Sequence, residues 1–205
     1  MPLVLVAPVS IKPSNSTVLV GDTLWLETNF SDSLLDLNSG KRYRIQPQDM
    51  SLETVFAIHE LHGLGQKTTG LASTFRIVER IGQAAAGGEY TGLFTTIYDG
   101  HSYRAKFGLI PTKRGFTSIS LLLLPPGGAK GFGRFIPFLT FPPDAQGREQ
   151  KAVLDNMYLI INEGKANNYD LYRQQFTIDP ETTGTDVPPA SLIYGRESTF
   201  TFEVK

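Results

Sequence analysis

Short runs in which apolar and polar residues alternate recur along the whole chain. The clearest is the C-terminal FTFEVK, where every second position from Phe200 to Val204 is apolar. Successive side chains of a β-strand point to opposite faces, so such a run predicts a half-buried strand that pairs inside a sheet. Similar patterns predict strands around residues 17–29, 53–61, 73–81 and 116–124.

Turn signals and two ambiguous segments complete the pattern. Asp99-Gly100 predicts the tight turn of a β-hairpin within residues 89–110. Residues 149–164 fit a helix by spacing and a strand by composition, and both remain open. The stretch NNYDLYRQQF predicts a short helix with Asn167 or Asn168 as its N-cap.

Many short strands separated by glycine and proline turns are typical of an all-β fold. We therefore expect an antiparallel β-sandwich with one or two short helices in the C-terminal third. We predict a single extended domain over residues 1–205. The alternative is two β domains, 1–83 and 89–205, separated by a flexible break at the sequence AAAGG, residues 84–88.

Charge and composition narrow the classes of function. The formal charge of −1 and the scattered basic residues predict no nucleic-acid binding. The absence of cysteine excludes disulfides, thiolate nucleophiles and cysteine-ligated metals. No apolar run reaches the roughly 20 residues of a membrane-spanning helix. The N-terminus does not resemble a signal peptide, so either the protein is not exported or its export signal lies upstream of Met1, and we favour the second alternative.

The stretch AIHELHGLG contains two of the three histidines and nearly matches a zinc hydrolase signature. That signature places two histidines four residues apart on one face of a helix. Here His59 and His62 are three apart, and the preceding ETVFAI favours a strand, in which they face opposite sides. A metal site would also need His101 or a carboxylate. We favour a strand end, and predict no metal and no cofactor.

Aromatic residues provide the candidate binding positions. Phe132, Phe135, Phe138 and Phe141 recur every three residues in a proline-rich segment. They could form an exposed surface for a glycan or a partner protein. A cover over the core is the interpretation that we favour.

Other aromatic and acidic residues are weaker candidates. Trp25, Tyr90, Tyr98 and Tyr103 are possible glycan platforms by residue type, and we expect the single tryptophan to lie in the core. Two acidic stretches, around Asp36 and over residues 179–186, carry part of a calcium ligand set. Turns stabilised by side chains explain both more simply.

Four stretches carry a resemblance that spans most of the chain: VGDTLWLETNFSDSLLDLNSGKRYRI, YRAKFGLIPTKRGFTSISLLL, ANNYDLYRQQF and FTFEVK. In this order they resemble uncharacterised exported or lipid-anchored β-rich proteins of Bacteroidetes bacteria. GDTLWLE and the turn before FTSIS also look like immunoglobulin-type strands. The resemblance implies a partly immunoglobulin-like sandwich at the periplasm or cell surface, with any lipid anchor upstream of Met1. It brings no catalytic residues.

The sequence therefore favours a non-enzymatic binding or structural protein of the cell envelope, whose ligand it does not identify. A glycan and another envelope protein are the candidate partners. The alternatives are a carbohydrate-binding module and, less favoured, a metal-dependent hydrolase that uses His59, Glu60 and His62.

Overall fold

In the computed structural model, strands from the whole length of the chain assemble into two sheets with an apolar core between them. The structure describes residues 3–45, 53–62, 65–67, 71–87, 91–123, 138–141, 145–148, 150–175 and 196–205. Within these ranges, no helix is long and apolar enough to cross a membrane.

The first sheet contains nine of the described strands, numbered here along the chain. They are β1 (Leu3–Lys12), β3 (Leu24–Ser31), β4 (Ser33–Asp36), β5 (Arg42–Arg44), β8 (Phe75–Ile81), β11 (Ile97–Tyr98), β12 (Ser102–Pro111), β14 (Phe138–Phe141) and β15 (Gln150–Ile161). The main order is β11-β12-β3-β1-β15-β14, with β8 also paired to β12 and the β4–β5 hairpin paired to β1.

The second sheet contains seven described strands. They are β2 (Thr17–Val18), β6 (Glu53–His62), β7 (Gly65–Lys67), β9 (Gln83–Ala86), β10 (Thr91–Thr95), β13 (Gly115–Leu123) and β16 (Thr199–Val204). Their order is β2-β16-β13-β6-β10-β9, with β7 paired to β6. The described residues also include the short helices α1 (Leu71–Thr74) and α2 (Tyr169–Gln175) and a 3₁₀ turn at Asn162–Gly164.

The prediction of an all-β sandwich with short helices is confirmed. Most pairings are antiparallel, but β1 pairs with β15 in parallel, and β16 pairs with β2 in parallel. Of the helices, α2 lies in the C-terminal third, as expected, whereas α1 lies earlier in the chain. The Asn167 side chain accepts a hydrogen bond from the N–H of Tyr169, the first residue of α2, at 3.3 Å, which is the geometry of an Asx turn.

Aromatic rings from both sheets meet in the core. The ring of Phe107 in the first sheet lies 5.2 Å from that of Phe56 and 4.9 Å from that of Phe94, both in the second sheet. A second contact joins Phe75 and Phe202, with ring centroids 6.4 Å apart. These rings bury large apolar areas, and their tilted and edge-on arrangements are the favoured geometries for aromatic pairs.

The structure corrects the prediction for one segment and decides between the two alternatives for another. The predicted flexible break is wrong for its first three residues, because the alanines at 84–86 form strand β9 and pair with β10. The ambiguous segment at 149–164 is a strand over most of its length, since β15 pairs with β1 on one side and β14 on the other.

Strands from both sides of the predicted break pair with each other, as in β3 with β12. The number of domains stays a prediction.

The chain crosses from one sheet to the other through a single glycine. β8 ends at Ile81 in the first sheet and β9 begins at Gln83 in the second, so Gly82 forms the corner. Its φ of +75° is a left-handed conformation that L side chains rarely adopt, and a Cβ there would lie 2.1 Å from the Thr95 carbonyl oxygen. Only glycine satisfies both restrictions without rearrangement of the corner.

We expect Gly82→Ala to lower the free energy of unfolding by about 3 kcal/mol or more, because a backbone clash is added to conformational strain. Gly40→Ala is the matched control, since Gly40 has a φ of +68° but nothing within 4 Å of the position of its Cβ. We expect that control to cost only about 1–2 kcal/mol. Urea denaturation measures both values, and equal losses would show that the corner tolerates the added methyl group.

Candidate binding surface

Strand β6 places His59 on the outer face of the second sheet, in a row of polar side chains. Phe56 and Ile58 of this strand point into the core between the sheets, so His59 points to the opposite face. Ser118 of β13 lies directly opposite His59, and Thr201 of β16 lies directly opposite Ser118. The two hydroxyl groups are fully buried, and His59 Nδ1 is buried as well. None of these three atoms has a hydrogen-bond partner among the described residues.

Burial lowers the pKa of the His59 imidazole below its ordinary value, because the charged form loses solvation. This favours the neutral side chain at neutral pH. The predicted strand at residues 53–61 is confirmed, because β6 runs from Glu53 to His62. Both histidines therefore belong to a strand, whereas the zinc motif needs a helix.

His101 lies in the predicted Asp99-Gly100 hairpin, between β11 and β12. Its N–H donates to the Asp99 carboxylate at 3.1 Å, and its carbonyl accepts from the Asp32 N–H at 2.9 Å. The imidazole is exposed. Across the described ranges, no group of three or more histidines and carboxylates is placed to hold a metal ion.

Of the four phenylalanines proposed as a binding series, the structure describes the surroundings of one. Phe141 is half-buried at the end of β14, and its ring lies 5.2 Å from that of Tyr43. It packs against the core, as a covering residue would. Phe138 opposes Val153 in the β14–β15 register. Phe132 and Phe135 lie outside the described residues, so the series remains a prediction.

Two of the candidate tyrosines belong to internal contacts around Asp32. Tyr103 is fully buried and donates to the Ile45 carbonyl at 2.9 Å. The Tyr98 hydroxyl is 2.9 Å from the Asp32 carboxylate, which also accepts from Arg44 Nε at 2.8 Å. Burial alone would raise the pKa of Asp32, but these hydrogen bonds and the charge of Arg44 lower it. This cluster ties the β3–β4 corner to the β11–β12 hairpin. Tyr90 lies outside the described residues.

The acidic stretch around Asp36 is a turn stabilised by its own carboxylate. That group accepts hydrogen bonds from the backbone N–H of Val4, Asn38 and Ser39 and from the Ser39 hydroxyl. Burial alone would raise its pKa, but these donors lower it. Its oxygens are thus already used within the turn. The other acidic stretch, residues 179–186, lies outside the described residues.

Trp25 is the candidate that the structure leaves facing solvent. We expected it in the core, and this is wrong, because Trp25 is half-buried on the outer face of the first sheet. Leu24 and Leu26 are buried on the core side of β3, so strand alternation directs Trp25 outward. The indole lies over Gly108 on the neighbouring strand, where a Cβ would come within 3.2 Å of it. Glycine therefore makes room for the ring to lie against the sheet.

Charged side chains surround this indole. Arg80 Cζ lies 5.4 Å and Lys106 Nζ 5.8 Å from the ring centroid, distances at which a cation is attracted to an aromatic face. Lys12 is directly opposite Trp25 on β1 and is exposed. Glu27 pairs with Lys106 at 3.0 Å. We call these five residues the Trp25 surface; its members come from four neighbouring strands.

A separate concave feature lies beside α2. It is a half-open cleft of about 510 Å³ lined mainly by polar groups of residues 164–174, together with Ser16 and Arg196. Its charged members include Lys165, Asp170 and Arg173. Most of its lining comes from one segment, residues 164–174, and only Ser16 and Arg196 come from distant parts of the chain.

Comparison with known proteins identifies no family for this chain. No family model matches it, and no curated protein matches it. Among solved structures, it is similar to a cohesin module from a Clostridium perfringens ATCC13124 family 33 glycoside hydrolase. The two are 11% identical, with a TM-score of 0.28, over 78% of this chain and 99% of that one. A similarity at this level carries no information about what this protein binds.

We expect the free energy of unfolding to fall as the pH is lowered below about 6.5, in part through His59. The unfolded chain takes up the proton at this ordinary pKa, whereas the folded protein takes it up only at lower pH. His59→Gln removes this contribution, so its stability should depend less on pH in this window. Urea denaturation between neutral pH and pH 5 measures the difference.

Ala57→Ser is the matched control, because residue 57 lies on the same face of β6 as His59. Neither alanine nor serine takes up a proton in this pH range. It should keep the pH dependence of the unmodified protein. If His59→Gln and the unmodified protein lose stability equally as the pH falls, then His59 is not the group responsible.

Proposed function

We propose that this protein is a non-enzymatic binding module of the bacterial cell envelope, and that it holds a carbohydrate ligand on the Trp25 surface. The observation that carries the proposal is the position of its single tryptophan. Trp25 lies outside the core, with its indole next to Gly108 and with charged groups around it. A large aromatic side chain in contact with water is a common feature of binding surfaces.

The arrangement suits a sugar for two reasons. One face of a pyranose ring presents C–H groups, which pack against an indole, while its hydroxyl groups need polar partners at the rim. Glu27 and Lys106 supply an acceptor and a donor beside the ring, and both are only partly buried. Strands β1, β3, β12 and β8 hold these side chains on a hydrogen-bonded framework, which limits the entropy lost on binding.

Export and the absence of an enzymatic activity rest on separate support. The strand and turn motifs resemble exported or lipid-anchored β-rich proteins of Bacteroidetes, and they carry no catalytic signature. The near-match to a zinc motif lies on strand β6, whereas that motif needs a helix. These points favour display and binding over hydrolysis.

We expect Trp25→Ala to weaken glycan binding at least about tenfold, because the stacking surface is removed. Trp25→Phe retains an aromatic ring and should lose less. A glycan array containing neutral and acidic plant and host glycans identifies ligands, and isothermal titration calorimetry with the best ligand measures affinity.

The matched control is Asn29→Ala, a change at an exposed position of the same strand and outside the Trp25 surface. It should bind as the unmodified protein does. Circular dichroism melts establish that each variant is folded. An array without binding, or binding that survives Trp25→Ala in a folded protein, would contradict the proposal.

The proposed location is tested independently. We expect the native protein in the periplasmic or membrane fraction of the cells that produce it, detected by immunoblot against a cytosolic marker. Recovery only with that marker would rule out display at the envelope.

A further inference from the structure

The Trp25 surface carries more positive than negative charge. Lys12, Arg80 and Lys106 lie around the indole, and Glu27 is the single carboxylate in this group. Two positive charges are therefore left without a partner within the five residues of the surface. The chain as a whole has a formal charge of −1, so this excess is local. A local field of one sign favours a ligand of the opposite sign.

We propose that the ligand of the Trp25 surface is an acidic polysaccharide, a chain of sugars that carries uronic acid carboxylates. This inference rests on the proposed function, and it specifies the class of glycan. In a uronic acid, the carboxylate projects from the rim of the same ring whose C–H face stacks on the indole. Arg80 Cζ and Lys106 Nζ now lie over the indole, 5.4 Å and 5.8 Å from its centroid. A sugar that stacks on the ring would displace them towards its rim, where they can pair with such a carboxylate.

Neither the Lys106 ammonium group nor the Arg80 guanidinium group is held rigidly in its present contact. The ammonium group of Lys106 pairs with Glu27, but the two side chains are 34% and 40% exposed, so water screens the pair and its loss costs little. Arg80 is exposed on β8. Both side chains are long enough to turn from the indole or Glu27 towards a bound carboxylate.

The arrangement of residues across the strands favours a polysaccharide over an acidic peptide. Lys12, Trp25 and Gly108 form one row across three strands, and Val78 of β8 continues it. A row of this kind accommodates successive rigid rings of a sugar chain, with the indole as the stacking point. A flexible acidic peptide would use the cations but not the indole.

The experiment compares polyuronates with a matched neutral ligand. Affinity electrophoresis and calorimetry are performed with polygalacturonate, alginate and fully methyl-esterified polygalacturonan, which keeps the backbone and loses the charge. Poly-glutamate serves as the acidic peptide. We expect at least one of the two polyuronates to bind, about tenfold or more tighter than the ester and poly-glutamate, and more weakly as salt is raised.

The variants separate charge from stacking. Lys106→Gln and Arg80→Gln should each weaken polyuronate binding about three- to tenfold, and each should weaken binding of the uncharged ester by a smaller factor. Lys41→Gln is the matched control, an exposed lysine in the turn between β4 and β5, and it should have no effect. Trp25→Ala should weaken binding to both glycans.

The outcomes distinguish the two proposals. If the ester binds as tightly as the polyuronates, or if the cation variants bind normally, then the acidic class is wrong and the glycan-binding function stands. Equal binding of poly-glutamate would replace the polysaccharide with an acidic peptide. If no glycan binds in a way that depends on Trp25, the proposed function itself fails.

Discussion

The packing of aromatic rings between the two sheets is the interaction on which the rest of the structure depends. Phe107 from one sheet contacts Phe56 and Phe94 from the other, and these rings fix which face of each strand is internal. Since side chains alternate along a strand, Lys106 is directed outward as a consequence of where Phe107 is held. The register of β12 with β3 then brings Lys106 beside Trp25. The exposed surface is thus determined by the core.

Local pattern predicted most of the strands but not their partners. The alternation in β16 and the Asp99-Gly100 turn are encoded in neighbouring residues, and the structure has both. The parallel pairing of β1 with β15 has no local signal, because either strand would satisfy its alternation beside other neighbours. The same reason explains why the ambiguity of residues 149–164 could not be resolved. A strand within a sheet is identified by what lies beside it.

Trp25 shows which of two sequence arguments is stronger. Its residue type suggested the core, whereas alternation along β3 places it on the face opposite the buried Leu24 and Leu26. The alternation prevailed, since a shift of one residue would expose both leucines to bury one indole. Arg80 and Lys12 could not be associated with Trp25 from the sequence, because they reach it from β8 and β1. The candidate site could therefore be recognised only once the order of the strands in the sheet was known.

The pairing of β1 with β15 also has a kinetic consequence. The Ile11 N–H donates to the Asn162 side chain, 151 positions further along the chain, at the end of the same pair of strands. Contacts of such sequence separation require a large loss of chain entropy before they stabilise anything, and they are associated with slow folding. During synthesis, β1 emerges long before its partner does. For that interval its edge next to β15 has no native strand to pair with, and such an edge is prone to association with other chains.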